Sequence, residues 1–290
     1  AQPMETSEAP PIEGNSLDTL NVDIPERARD LFGGYLDFAE LLGRRTAELH
    51  IALSSDSHND AFAPQPINAM YRRSLYQSSR TRLDQAFNLL KKRIDSLPED
   101  VEGDARVVFE AAKRIDRRLR AIVDKKVQGQ RIRCHGDYHL GQVLYTGKDL
   151  LIMDFEGEPA RPISERRLKR SPLTDVAGML RSFDYASVAA VIAGRARPED
   201  LKVLEPWTQY WYLWTSASFL KAYRETAAEA AFLPKNEEQF AALLDVFLFD
   251  KALYELAYEL NNRPGWVGIP LRGLIRLLEG AQDVDGLGSL

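Results

Sequence analysis

Across most of this chain the apolar residues recur at intervals of three and four, and a single segment departs from that period. Leu31, Tyr35, Phe38, Leu42, Leu49 and Leu53 mark one long amphipathic helix, with Gly33 and Gly34 predicting a flexible middle. The same spacing predicts helices over residues 70–97 and 101–127, divided by "SLPED", whose Pro98 stops one and whose acids favour the start of the next. Further helices are predicted over 172–192, 206–228, 237–262 and 271–279, the last closed by Gly280. The exception is "QVLYTGKDLLIMDF", where Val143, Leu144, Leu151 and Ile152 form apolar strands on either side of a "TGKD" turn. The fold class that follows is mainly α with a small β-hairpin.

Composition narrows the partners. The chain has 290 residues, 44% of them hydrophobic, enough to bury a sizeable core. A net charge of -5 leaves no global reason to expect binding to a nucleic-acid backbone. No run of 18 or so apolar residues and no basic start with an apolar stretch behind it is present, so neither membrane spanning nor export is expected. One cysteine, Cys134, forms no internal disulfide, which fits a reducing, cytoplasmic setting. Residues 1–22, rich in Pro, Ser, Glu and Gly, read as a flexible linker, 23–282 as the folded unit and 283–290 as a disordered tail. The opening on Ala with linker-like text behind it reads as a piece of a longer protein.

Pairing the hairpin about its turn places Gln142 opposite Met153, so Gln142 and Asp154 leave the same end of the ladder. An amide oxygen and a carboxylate brought together are hard ligands suited to Mg²⁺, which keeps several waters and is usually shared with substrate phosphates. Five residues before Gln142 stands Asp137, in a His-Gly-Asp turn aimed at the same mouth. One carboxylate to accept a hydroxyl proton, with two oxygen ligands for magnesium, is a minimal set for phosphoryl transfer to an alcohol. Two other readings are weaker. Cys134, His135 and His139 invite a zinc site, but Gly136 and Gly141 argue against a helix and no second ligand cluster exists. Asp137 and Asp154 as a glycosidase pair would leave the amide and the "DFE" end unexplained.

In order and spacing, "HGDYHLGQ" and "DFE" resemble the protein-kinase "HRDxxxxN" and "DFG". Taken together, "HGDYHLGQVL" and "IMDFEGEP" resemble the maltokinase family within the kinase-like aminoglycoside phosphotransferase superfamily. That resemblance implies a protein-kinase-like C-lobe that transfers phosphate from ATP to maltose, giving maltose 1-phosphate, sometimes fused to trehalose synthase. Carried over by motif position, Asp137 is the base, Gln142 and Asp154 are magnesium ligands, Glu156 a further ligand, and His135 braces the loop. Asp175, in the first turn of the helix that follows Ser171 and Pro172, resembles the acid that hydrogen-bonds the catalytic-loop backbone. Gln142 for Asn and Glu156 for Gly depart from the kinase pattern.

The downstream "DKALYELAYELNNRPGW" places Lys251, Glu255, Tyr258, Glu259 and Asn262 at helical spacing, continued by Arg263 and Trp266. Such a stripe beside an aromatic platform suits a sugar, and it also suits a solvent face carrying an i,i+4 charge ladder. The basic run Arg161, Arg166, Arg167, Lys169 and Arg170 reads as a solvated surface loop rather than a phosphate contact. His50 and His58 have no evident partners and read as surface groups. No glycine-rich nucleotide loop and no strand lysine precede the first helix, so an N-lobe or fusion partner is expected outside these residues, and the isolated chain is expected to transfer phosphate poorly if at all. The alternative is a non-catalytic sugar-binding or interaction module built on the same fold.

Overall fold

The computed structural model describes residues 9–11, 16–193 and 198–279. The chain is mainly helical. Its α-helices are α1 (Glu26–Leu53), α2 (Ala69–Arg93), α3 (Glu99–Glu110), α4 (Ala112–Asp124), α5 (Ile163–Arg166), α6 (Leu173–Ala193), α7 (Pro198–Thr226), α8 (Glu237–Asn262) and α9 (Gly268–Glu279). Two small antiparallel ribbons interrupt them: β1 (Gln65–Pro66) with β2 (Gln130–Arg131), and β3 (Val143–Tyr145) with β4 (Leu150–Ile152). No described helix is long and apolar enough to cross a membrane.

α8 lies at the centre because its sequence is apolar on more than one face. Phe240, Leu243, Leu244, Val246, Leu248 and Phe249 are all buried, and α2, α4, α6 and α9 cover them from different sides. A second, smaller core joins the first half of α1 to α7 through Leu36, Tyr210, Leu213 and Trp214. The two helices approach so closely at Gly43 that a Cβ there would overlap the Phe219 carbonyl oxygen. Ser218 Oγ also donates to the Leu36 carbonyl across this seam, at 2.9 Å.

Several elements differ from the sequence expectation. α1 runs without interruption through Gly33 and Gly34. The helix expected over 101–127 divides at Ala111 (φ -79, ψ 3), so that α3 lies on α9 while α4 lies on α8. α7 begins eight residues before Pro206, which sits inside the helix because its fixed φ is helical even though it cannot donate a backbone bond. Of the segment expected as linker, residues 16–22 form turns with Leu20 buried, and Asn21 Nδ2 donates to Glu237 at 2.7 Å. Residues 1–8, 12–15 and the whole of 283–290 lie outside the described residues.

The α1–α7 seam makes a paired test possible. Gly43→Ala should lower unfolding stability by about 1–3 kcal/mol through backbone overpacking. Gly34→Ala, where the new methyl meets nothing within 4 Å, should raise it by about 0.5–1 kcal/mol. Urea denaturation of the two variants checks both signs.

Candidate active site

The loop between β2 and β3 is held by one buried carboxylate. Asp175 sits in the first turn of α6, where the helix dipole favours negative charge. Its Oδ2 accepts from the His135 backbone N–H at 2.8 Å and its Oδ1 from the Gly136 N–H at 2.9 Å. Gly136 has φ +88, a conformation that presents both amides to one carboxylate and suits glycine. Oδ2 also accepts from His50 Nε2 at 3.1 Å, while His50 Nδ1 takes a hydrogen bond from the Tyr223 hydroxyl at 3.0 Å. Burial alone would push the Asp175 carboxyl up, but the bonds from His50 and the Gly136 amide hold it below the usual carboxylate range.

His50 is therefore fully buried and not the surface group its sequence surroundings suggest. It lies near the end of α1, at the i+4 position from Thr46, whose hydroxyl meets Tyr138 OH at 2.9 Å. Two residues of α1 thus touch the loop and its anchor, a role that local sequence does not reveal.

His135 ties the same loop to the hairpin. Its Nε2 donates to the Met153 carbonyl at 2.7 Å and its Nδ1 accepts from the Asp137 N–H at 3.4 Å, while Phe155 lies 5.0 Å away, centroid to centroid. The hairpin register is the expected one. Val143 pairs with Ile152, and the Met153 N–H donates to the Gln142 carbonyl at 2.9 Å. Gln142 Nε2 consequently reaches Asp154 Oδ2 at 3.0 Å. Asp154 has φ 62, the one positive φ outside glycine among the described residues, a sparsely populated conformation often retained at functional positions.

The remaining residues of interest fall into separate places. Asp137 lies in a small pocket with Lys251, Glu158, Arg161, Thr174 and Tyr254, and its carboxylate makes no hydrogen bond among the described residues. Beside it His139, whose Nδ1 accepts from Gly141 N–H at 3.0 Å, is held below its ordinary pKa by burial and by Lys251. Glu156 points toward solvent, 77% exposed, with Arg166 4.0 Å away. No group of three His, Cys, Asp or Glu side chains converges among the described residues. The Gln142 and Asp154 pair still fits magnesium, because that ion takes one or two protein ligands and draws the rest from phosphates and water.

The polar stripe of α8 divides. Lys251 faces the Asp137 pocket, whereas Glu255 and Glu259 are buried against α6. Glu255 pairs with Arg181 at 2.8 Å, and Arg181 also binds Asp184 at 2.6 Å. Burial alone would lower the Arg181 pKa, but these two carboxylates more than offset it and hold the guanidinium charged. Glu259 accepts from Tyr185 OH at 3.0 Å and from both Arg263 nitrogens at 3.0 and 2.6 Å. Trp266 stacks on Tyr185 at 6.5 Å, with the Arg263 guanidinium 5.2 Å from its ring. Asn262 Nδ2 donates to the carbonyl of Tyr258, whose ring is half-exposed.

The chain is similar in sequence and in fold to glucosamine kinases. The chain is 29% identical over 240 residues to a glucosamine kinase of Streptacidiphilus jiangxiensis, covering 83% of this chain and 49% of that protein. It is 29% identical over 146 residues to a glucosamine kinase of Mycolicibacterium smegmatis, covering 50% and 34%. It spans about half the length of the first relative and a third of the second. No protein-family model matches. A solved structure described as glucosamine kinase in complex with glucosamine, ADP and inorganic phosphate superposes with a TM-score of 0.67 at 24% identity, over 91% of this chain and 56% of that one. Crystal form A of glucosamine kinase gives 0.64 at 25% identity. These matches overturn the resemblance to maltokinase and to the aminoglycoside phosphotransferases, toward which nothing found points. The loop and hairpin text that carried the resemblance is short and does not distinguish one sugar kinase from another.

The Asp175 clamp predicts a pH signature. Its folded-state pKa lies below the ordinary 3.8, so the stability it contributes is complete above about pH 4 and is lost as pH falls through the folded value. Asp175→Asn should lower stability at pH 7 by about 2–4 kcal/mol and flatten the acid limb below pH 4. Denaturant midpoints between pH 3 and pH 7 measure both.

Proposed function

We propose that this chain is the catalytic lobe of an ATP-dependent phosphotransferase acting on a sugar hydroxyl. The observation that carries the reading is the arrangement around the Asp175 clamp: one carboxylate, Asp137, in a pocket with no hydrogen bond among the described residues, and the Gln142 amide hydrogen-bonded to the Asp154 carboxylate at the adjoining hairpin mouth. The mainly helical fold, which superposes on a glucosamine kinase structure, and the names of the relatives support it, and glucosamine is accordingly the first acceptor to test. Residues 23–282 form the lobe in this reading, flanked by 1–22 and 283–290.

In this mechanism Asp137 receives the proton of the acceptor hydroxyl as its oxygen forms the new bond to the γ-phosphorus and the bond to the ADP oxygen breaks. His135 keeps Asp137 in place by joining the loop to the hairpin, and Gln142 and Asp154 would supply the protein oxygens for magnesium, with the solvent-exposed Glu156 as the further ligand. Magnesium, when bound, neutralises charge on the transferring phosphates. Lys251, near Asp137, suits an acceptor oxygen. Glu255 and Glu259 act at one remove, by setting Arg181, Tyr185 and Arg263. Leu144, Tyr145, Leu151, Met153 and Phe155 are exposed on and beside the hairpin, as suits a surface that meets the nucleotide or the further residues that longer relatives possess.

In the longest polypeptide containing this chain, Asp137→Asn should reduce kcat by about 10²–10⁴-fold while Mg-nucleotide affinity stays near the parent value, because a proton acceptor is removed and no ligand. Transfer assays and nucleotide titration test it. Parallel loss of nucleotide binding would reverse the assignment of roles.

A further inference from the structure

Next to the Asp137 pocket opens a cleft of about 1060 Å³. The two share Arg82, Glu158, Arg161, Thr174 and Tyr254 as walls, so a ligand with one end at Asp137 extends naturally into the larger space. One wall follows from strand alternation. In "RIRC", Ile132 and Cys134 are buried in the core, which leaves Arg131 and Arg133 on the cleft side, and the Ile132–Arg170 bridge brings Arg170 alongside.

Cations outnumber acids in the lining of this cleft. Arg131, Arg133, Arg161, Arg167 and Arg170 line it, and none has a carboxylate within ion-pair distance among the described residues. Of the acids in the wall, Asp250 is occupied by Arg82 at 3.1 Å and by Ser79 at 2.9 Å; Asp60, Glu158 and Glu165 form no ion pair with these arginines. Arg161 is held below its ordinary pKa first by burial and then by Arg170 and Arg82, with Asp250 and Glu158 offsetting this only in part, so these cations lie close enough to repel one another. Arg131 Nε is buried with no hydrogen-bond partner, its guanidinium 4.9 Å from the Tyr71 ring.

The basic run read from sequence as a surface loop therefore divides in two. Arg166 caps the Arg161 and Pro159 carbonyls at 2.8 Å, and Lys169 the Asp60 and Ala63 carbonyls, which accounts for both as structural. The Arg161 and Arg170 side chains stay half-buried and form no hydrogen bond or ion pair among the described residues. In a chain of net charge -5, that concentration is local and unexplained by composition.

We propose that this cleft holds the anionic group, a phosphate or a carboxylate, of a sugar whose hydroxyl lies at Asp137. The inference rests on the phosphotransferase reading and deepens it: the acceptor is an anionic sugar. Planar guanidinium forks match both oxyanions, and a ligand of that charge relieves the repulsion among them. An amino sugar without such a group brings a second cation to a cationic wall.

Matched pairs decide it: glucosamine against glucosamine 1-phosphate, and glucose against glucuronate, titrated calorimetrically into the protein at low salt. We expect at least one anionic sugar to bind about tenfold or more tightly than its partner, the phosphate and carboxylate arms showing which oxyanion is read. The advantage should shrink at 0.5 M NaCl, as expected for a partly exposed charged site. Arg161→Gln should abolish it and Arg161→Lys restore part, with the thermal midpoint of Arg161→Gln undiminished because no ion pair is lost. Equal binding within both pairs, or indifference to Arg161→Gln, would overturn the proposal. Anionic binding that depends on Arg161 but without ATP-dependent transfer would overturn the phosphotransferase reading and leave the anion site standing; transfer to glucosamine with no anionic preference would do the reverse.

Discussion

One carboxylate organises the site. Asp175 accepts two consecutive backbone amides of the His135–Gly136 turn and a third hydrogen bond from buried His50, so the turn is fixed to α6 and, through His50 and Tyr223, to α1 and α7. Everything chemical lies downstream. His135, held by its own amide, extends its ring to Met153, and that bond sets the distance between the loop carrying Asp137 and the hairpin end carrying Gln142 and Asp154. Buried and charged, Asp175 is tolerable only because each of its oxygens is satisfied.

The fold treats buried cations in two opposite ways. Arg181 is enclosed between Glu255 and Asp184, with Arg276 also on Asp184, a network that joins α6, α8 and α9 and leaves no charge for a ligand. Arg161 and Arg170 are half-buried and form no ion pair among the described residues. Carboxylates close on one set of guanidiniums and stand off from the other, which is the contrast the proposed anion site rests on.

What the sequence revealed follows from the range of the interactions involved. The hairpin register was legible because strand period and turn are local, and with it the Gln142–Asp154 pair. The helices were legible from their spacing, apart from the break at Ala111 and the run of α7 through Pro206, which tertiary packing decides. His50 was not, since its partners lie 125 and 173 residues away. Glu255 and Glu259 show the same limit. An i,i+4 pair of acids looks alike on a solvent face and on a buried one, and only the presence of Arg181, Tyr185 and Arg263 distinguishes them. The motif text drew attention to the loop and hairpin but not to the adjoining cleft, whose lining is scattered from Asp60 to Tyr254.

The central claim is that the hairpin mouth and the Asp137 loop form one phosphate-handling centre, beside the basic cleft proposed to receive the sugar's charge. Paramagnetic broadening of the ¹⁵N-labelled protein by Mn²⁺ with ADP tests it directly, because Mn²⁺ takes the same oxygen ligands as magnesium. The account predicts selective loss of amide signals around Gln142 and Asp154, extending to Asp137 and abolished by Asp154→Asn. Broadening centred instead on the acids of the basic cleft, Asp60 and Glu165, or unaffected by Asp154→Asn, would contradict it.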